Sequence, residues 1–272
     1  MPELPEITVL SKQMAKEIIG KQIHQVEIYQ PKCLNIPPEQ FVKTAEGKAI
    51  GPIYSRGKWL FIKLKPDYDL LINLGMGADL LYFKPNSKLP EKYQFKLTFA
   101  NHSGFTIRFY WFGYIHLVPE KKLSQHKLTA KLGVSPLDKD FTREYLHKLL
   151  AARKARIKSL LMDQKNIAGI GNVYIQDILF NARLHPTRKA NSLSDQEISN
   201  LHNAIKIVLD SSIKKGGLAY EKNFYGQKGN FKAEDFHVGY KTGKPCPVCS
   251  TPIEKIRTGS TSSYICPKCQ KL

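Results

Sequence analysis

Four cysteines near the C-terminus constrain this chain more than any other feature. They fall as Cys246-x2-Cys249 and Cys266-x2-Cys269, with sixteen residues between the pairs. In an intracellular chain this spacing reads as a four-thiolate site for one zinc ion. Four thiolates complete a tetrahedron and leave no position for water, so the ion is structural rather than catalytic. Pro245, Pro247 and Pro267 stiffen the turns beside the ligands. Two disulfides are the competing arrangement, which a reducing compartment disfavours. Cys33 stands apart as an isolated thiol.

The opening stretch MPELPEITVL is neither basic nor apolar in the manner of a secretory leader. No apolar run approaches the ~20 residues that span a bilayer. A soluble, cytoplasmic protein with no membrane partner is therefore expected. Its 42 Lys and Arg against 23 Asp and Glu leave a net charge of +19. Solubility alone asks for a net charge of only about 2–8, so the excess favours a polyanionic partner. Charge by itself does not separate DNA from RNA.

At 272 residues with 42% apolar content, the chain is long enough for two ordinary domains with packed cores. Residues 5–20 have helical spacing at Ile7, Leu10, Met14 and Ile18, with Gly20 placed to stop the helix. Alternation then takes over. Phe95, Leu97 and Phe99 form one strand pattern, and Phe105, Ile107, Phe109 and Trp111 another. Shorter candidates lie at 23–28, 59–64, 70–74 and 80–83. Residues 21–118 thus suggest a β-sandwich or barrel. The basic stretch 119–140, with Pro119, Gly133 and Pro136, reads as a linker. Helical spacing returns at Phe141, Tyr145, Leu146 and Leu149, and at Ile157, Leu160 and Leu161. Ser194-x-x-Glu197 forms a capping box ahead of Ile198, Leu201, Ile205, Val208 and Leu209. The expected class is α+β in two domains: a helix plus β-sandwich, then a helical domain ending in a zinc ribbon.

Two further motifs carry chemistry. The N-terminus reads Pro2-Glu3-Leu4-Pro5-Glu6, whose acids also suit a helix start. Between helical patterns lies Asn166-Ile-Ala-Gly169-Ile-Gly171-Asn172. Its glycines let backbone N–H groups approach an anion such as a phosphate. A tight helix–helix connection with Asn172 as N-cap is the structural alternative.

The ordered set of motifs resembles the formamidopyrimidine-DNA glycosylase and endonuclease VIII family of bifunctional glycosylases. It runs nearly end to end: Pro2-Glu3-Leu4-Pro5-Glu6, Arg56-Gly57-Lys58-Trp59, Leu74-Gly75-Met76, residues 132–137, residues 166–186 and the four-cysteine finger. The resemblance implies a catalytic β-sandwich domain over 1–118, a linker over 119–140, a helix–two-turn–helix domain over 141–240 and a zinc finger over 241–272. It also implies DNA held between the domains, a monomer, and a nucleoid-associated location. The implied activity is excision of oxidised bases from duplex DNA, followed by β/δ-elimination at the abasic site.

What the resemblance implies for residues suits their chemistry. With Met1 removed, the Pro2 amine would attack C1′ and form a Schiff base. An α-amine has a reference pKa of roughly 7.7–8.0, so its free base is available near neutrality. Glu3 would serve as acid–base residue and Glu6 as a supporting carboxylate. Lys58 would grip phosphate beside the lesion and Asn172 a further phosphate. Met76 and Phe112 would fill the gap left by the rotated nucleotide. Residues 223–231, with Gly226 and Gly229, match a flexible lesion-contacting loop, or else form a plain surface loop.

Two positions depart from the pattern. Many members place an arginine two residues before the intercalating Phe, where this chain has Tyr110. A tyrosine lacks the fork of donors that pairs with the orphaned base. The finger's phosphate-binding arginine is replaced by Thr261, with Arg257 as a substitute. A hydroxyl contact to phosphate is weaker than a charged fork, so slower turnover or an altered cleavage balance is expected. Alternatives are a weak or inactive damaged-DNA binder of the same fold, and a basic zinc-ribbon RNA-binding protein that leaves Pro2 idle.

Overall fold

Helix α1 (Leu4–Ile18) forms where Ile7, Leu10, Met14 and Ile18 predict it, and all four side chains are buried. Gly20, at φ +84°, reverses the chain just beyond the cap residue Ile19. The computed structural model describes residues 2–272. Two antiparallel four-stranded sheets follow α1. One has the order β1-β6-β7-β5, built from β1 (Ile23–Ile28), β5 (Ala78–Phe83), β6 (Phe95–Phe99) and β7 (Gly104–Phe109). The other has the order β2-β3-β4-β8, built from β2 (Ala49–Arg56), β3 (Trp59–Lys65), β4 (Tyr68–Asn73) and β8 (Tyr114–Pro119).

Period-two alternation points Leu60, Ile62 and Leu64 of β3 into the same core as Leu97 and Phe99 of β6. Ile7 and Met14 of α1 join that core, as does Phe41 of α2 (Pro38–Ala45). The architecture is a sandwich rather than a closed barrel, because the two sheets share a core but no ladder.

Several strands differ from the sequence reading, for physical reasons. β2 is hidden from pattern analysis because the pairing shifts register between Ile50 and Ile53, where Gly51 and Pro52 interrupt the alternation. β8 escapes because it is buried along Ile115–Val118 instead of on one face, His116 included. β7 ends at Phe109, so Trp111 does not continue it and stands in solvent.

The chain divides into two compact units, Met1–Lys131 with Lys215–Asn230, and Leu132–Lys214 with Phe231–Leu272. Much of the basic stretch after β8 belongs to the first unit. His126 lies 2.9 Å from His116 through ring nitrogens and 2.7 Å from the Thr129 hydroxyl. The Trp59 ring packs against both imidazoles.

Residues 215–230 return to the first unit and are pinned there. The glycines of residues 223–231 suggest a mobile lid, yet Phe224 is fully buried in the sandwich core. One face of α1 supplies the acceptors: Glu6 for the Leu218 amide, Gln13 for the Phe224 amide and Glu17 for the Tyr225 hydroxyl, at 3.1, 2.9 and 2.8 Å. The Tyr82 amide donates to Phe224 O at 2.8 Å. Gly229 is required because a Cβ there would meet Gly217 O at 2.1 Å.

The second unit contains α3 (Arg143–Ala151), α4 (Ile157–Met162), α5 (Ile175–Asn181) and α6 (Asp195–Lys214). The expected capping box opens α6, with the Ser194 amide donating to Glu197 at 2.9 Å and the Glu197 amide to Ser194 Oγ at 3.3 Å. Its predicted apolar face is buried. In α3, Thr142 caps the helix, Phe141 precedes it, and Leu150 rather than Leu149 is fully buried. A hairpin of β9 (Glu254–Thr258) and β10 (Thr261–Ile265) completes the unit. No helix among the described residues is long and apolar enough to cross a membrane.

Candidate catalytic residues and nucleic-acid interface

In the first unit, Pro2, Glu3 and Glu6 are buried at the head of α1. Glu6 Oε2 accepts the Glu3 amide at 2.8 Å, while Oε1 accepts the Leu218 amide. One carboxylate therefore holds both the segment carrying Pro2 and the base of the 215–230 segment. Gly217, at φ +88°, lies close enough that a Cβ would stand 3.1 Å from Glu6 Oε1. Met1, whose removal would free the Pro2 amine, lies outside the described residues.

Lys58 sits in the β2–β3 turn after Gly57, which has φ +59°. Its carbonyl accepts from Asn73 Nδ2 at 3.0 Å, and Ser55 meets the Thr8 hydroxyl at 3.3 Å. These contacts fix the turn against β4 and α1. Sequence reasoning overlooked Glu221 in the 215–230 segment, whose carboxyl is pushed up by burial.

Met76, Tyr110 and Phe112 come together on two adjacent turns. The Tyr110 amide donates to Gly77 O at 3.0 Å. Gly75, at φ +57°, packs so tightly on the Phe112 carbonyl that a Cβ would stand 1.3 Å from the oxygen. All three side chains are exposed, with Trp111 between Tyr110 and Phe112.

In the second unit, the glycine-rich turn is ordered by acceptors that precede it in the chain. The Gly169 amide donates to Gln164 Oε1 at 2.8 Å, and the Ala168 amide to Val134 O at 3.1 Å. Those two N–H groups are spent on Gln164 and Val134, contrary to the expectation that they face an anion. Asn172 is not the N-cap of α5, a place taken by Tyr174. Gln176 Nε2 reaches Asn172 O at 2.8 Å, Asn172 Oδ1 at 3.2 Å and Ser262 O at 3.3 Å. Gln176 Oε1 accepts the Tyr264 amide at 3.1 Å. Asn172 and the hairpin that carries Thr261 are thereby joined through one side chain.

The hairpin also encloses a cation that sequence reasoning missed. Lys158 of α4 is 2% exposed. Its ammonium reaches Thr258 Oγ1, Thr261 Oγ1, Ser262 O and Ser263 Oγ at 3.2, 3.0, 2.6 and 2.9 Å. Burial pushes its pKa down to about 8. The available signal was a lysine three residues before Leu161, on the apolar face of a short helix. The Thr261 hydroxyl is turned inward, donating to Thr258 O at 3.3 Å. Arg257 folds over the turn, with Nε donating to Gly259 O at 3.3 Å.

The four cysteines form one cluster, with their sulfurs all within 4.8 Å of one another. Cys246–Cys269, Cys249–Cys266 and Cys249–Cys269 are separated by 3.8, 3.4 and 3.5 Å. A tetrahedron with Zn–S bonds of about 2.3 Å has edges of about 3.8 Å, whereas a disulfide needs about 2.05 Å. The donor set fits a structural zinc ion. Cys246 and Cys266 pack on Phe180 of α5 with Val238 and Ile253. Asp177 accepts the amides of His237, Val238 and Gly239 at 2.6, 3.0 and 3.0 Å, which fixes the approach to the finger.

A sandwich that buries an N-terminal Pro-Glu pair, and a helical unit tied to a four-cysteine hairpin, define a zinc-finger protein of two units. Family models match along the chain: the formamidopyrimidine-DNA glycosylase N-terminal domain at residues 1–110, the H2TH domain of the same enzymes at 132–223, and the zinc finger found in FPG and IleRS at 243–272. The chain belongs to the formamidopyrimidine-DNA glycosylase family. It is 38% identical to the formamidopyrimidine-DNA glycosylase of Pelotomaculum thermopropionicum, over 100% of both chains. It is 34% identical to that of Streptococcus pneumoniae, over 100% of this chain and 99% of the relative. It superposes with a TM-score of 0.91 on Lactococcus lactis Fpg in complex with DNA containing N7-benzyl-Fapy-dG, at 28% identity and full coverage of both chains. The same bacterial Fpg with abasic-site DNA also gives 0.91 at 28% identity, covering 99% of this chain and 100% of that one.

Proposed function

We propose that this protein is a base-excision DNA glycosylase with AP lyase activity, acting on oxidised bases in duplex DNA through Pro2. The observation that carries the reading is the buried Pro2-Glu3 start held by Glu6, in a chain that matches the glycosylase family from end to end. With Met1 removed, the Pro2 nitrogen lone pair forms a bond to C1′ as the bond from C1′ to the base breaks. The base departs with that electron pair and takes a proton. Glu3 protonates the sugar ring oxygen, the ring opens, and an iminium ion remains. Loss of a proton at C2′ then expels the 3′ phosphate, and a second elimination expels the 5′ phosphate. Glu6 is a positioning residue for the segment that carries the nucleophile.

Lys58 and Asn172 are assigned to phosphate contacts, one in each unit. Because Gln176 engages Asn172 Oδ1, its Nδ2 is the group to offer a phosphate oxygen. The charge of +19 supports a contact surface whose affinity falls steeply with salt. Zinc holds the hairpin in shape through Cys246, Cys249, Cys266 and Cys269. A DNA substrate also implies work at the nucleoid.

Borohydride trapping tests this reading. The Met1-processed protein is mixed with duplexes bearing 8-oxoguanine, an oxidised pyrimidine or an abasic site, then reduced. A covalent adduct that disappears on N-acetylation is expected. Tight binding without an adduct on any duplex would instead mark a non-catalytic binder of damaged DNA.

A further inference from the structure

Rotating a nucleotide out of a duplex leaves its former partner unpaired beside an empty step in the stack. The first unit offers four large exposed side chains in one place: Met76, Tyr110, Trp111 and Phe112, at 53, 52, 80 and 54% exposure. Met76 and Phe112 carry no group that discriminates among bases by hydrogen bonding. Only Tyr110 and Trp111 carry donors.

The Tyr110 donor is already committed. Its hydroxyl donates to Asp79 Oδ2 at 2.7 Å. The same oxygen accepts from Lys222 Nζ at 2.9 Å, from the 215–230 segment. The Arg108 guanidinium lies 5.1 Å from the Tyr110 ring centroid, over the ring, and so braces it from another direction. Asp79 and Arg108 are cross-strand partners on β5 and β7, which makes the brace part of the sheet. What remains for an incoming base is an aromatic surface, a lone pair on the Tyr110 oxygen and one indole N–H on a separate side chain. A lone donor and a lone acceptor on separate side chains each find a complement on any of the four bases, whereas discrimination needs a matched pair of groups on one side chain.

We infer that Asp79 locks Tyr110 as a stacking platform, so that the enzyme accepts the unpaired base opposite the lesion without reading its identity. The inference rests on the proposed glycosylase function, because only base rotation creates that unpaired base. Tyr110 and Trp111 determine specificity by omission: they hold the base through its π-face, which every base has. Asp79 is the positioning residue that keeps the tyrosine's one hydrogen-bond donor out of the readout.

The test measures Kd for four duplexes that carry a stable abasic analogue opposite cytosine, adenine, guanine or thymine. Strand cleavage at a true abasic site is followed in parallel. The zinc-loaded, Met1-processed protein should bind all four within about threefold. Tyr110→Leu should weaken all four about equally, by about tenfold, as loss of stacking on one base predicts. Tyr110→Arg should open a spread of tenfold or more, because its donor fork favours a base with two adjacent acceptors. Tyr110 is exposed, so these variants should fold, and an unchanged circular dichroism spectrum checks it. A wild-type spread above tenfold, or a Tyr110→Leu loss confined to one opposite base, overturns the inference. Failure of strand cleavage with a flat binding profile would refute the catalytic reading alone.

Discussion

Replacing Lys158 with methionine separates the cost of a buried charge from the bonds that hold it. Burial lowers the Lys158 pKa from 10.5 to about 8. The gap of about 2.5 pH units corresponds to about 3 kcal/mol against the charged form in the folded protein. Between those two values the unfolded chain keeps a proton that the folded chain has released. Stability therefore rises with pH across that window, and below pH 8 the full penalty is present. Methionine removes the penalty but takes from Ser262 O its shorter donor at 2.6 Å, leaving only Gln176 Nε2 at 3.3 Å, a loss of about 1–3 kcal/mol. The Thr258 and Ser263 hydroxyls still bond each other at 2.8 Å. Lys158→Met should thus lie within about 2 kcal/mol of wild type at pH 7. It should also lack a rise of about 3 kcal/mol between pH 8 and 10.5. Urea denaturation of zinc-loaded protein, followed by circular dichroism across that range, measures both. Parallel stability–pH curves for the two proteins would refute the reasoning, as would a loss above about 4 kcal/mol at pH 7.

Three more outcomes follow from the same structure. Burial, and secondly the nearness of His126, push the His116 pKa down to about 4, so its imidazole stays neutral as the unfolded chain protonates below 6.5. Stability should fall by about 3 kcal/mol from pH 6.5 to 4, and His116→Phe should flatten that slope in thermal melts at several pH values. Phe224→Ala should cost about 3–5 kcal/mol and expose the 215–230 segment to proteolysis; nicking no faster than wild type would show that the core contact does not hold it. Chelating zinc should unfold the β9–β10 hairpin and weaken DNA binding while the sandwich persists, which amide exchange resolves by region; uniform exchange in both units would contradict it.

Local chemistry was legible wherever one segment supplies all the groups. The four cysteines carry a spacing within the range of four-thiolate ribbons, and the fold brings their sulfurs within 4.8 Å of one another. α1, the α6 capping box and most strands follow from periods of 3.6 and 2, which the chain writes into adjacent residues. The net charge and the Pro2-Glu3 start likewise need no fold to be read. β2 was not legible, because its bulge at Gly51-Pro52 breaks the alternation by which strands are recognised.

Only the tertiary structure decided what distant segments do to each other. Lys158 lies 100 residues from Thr258, and its place on the apolar face of α4 hints at burial without revealing the hairpin acceptors that receive its ammonium. Tyr110 reads as an ordinary aromatic until Asp79 of β5 arrives at its hydroxyl, with Lys222 of residues 215–230 on the same carboxylate oxygen. Residues 223–231 look like a glycine-rich lid, and only the acceptors along α1 and the core around Phe224 hold Phe224 and Tyr225 in place. The physical reason is the same in each case. Periodicity and spacing record a residue's neighbours along the chain, whereas burial, ion pairing and hydrogen-bond saturation depend on neighbours that folding alone supplies.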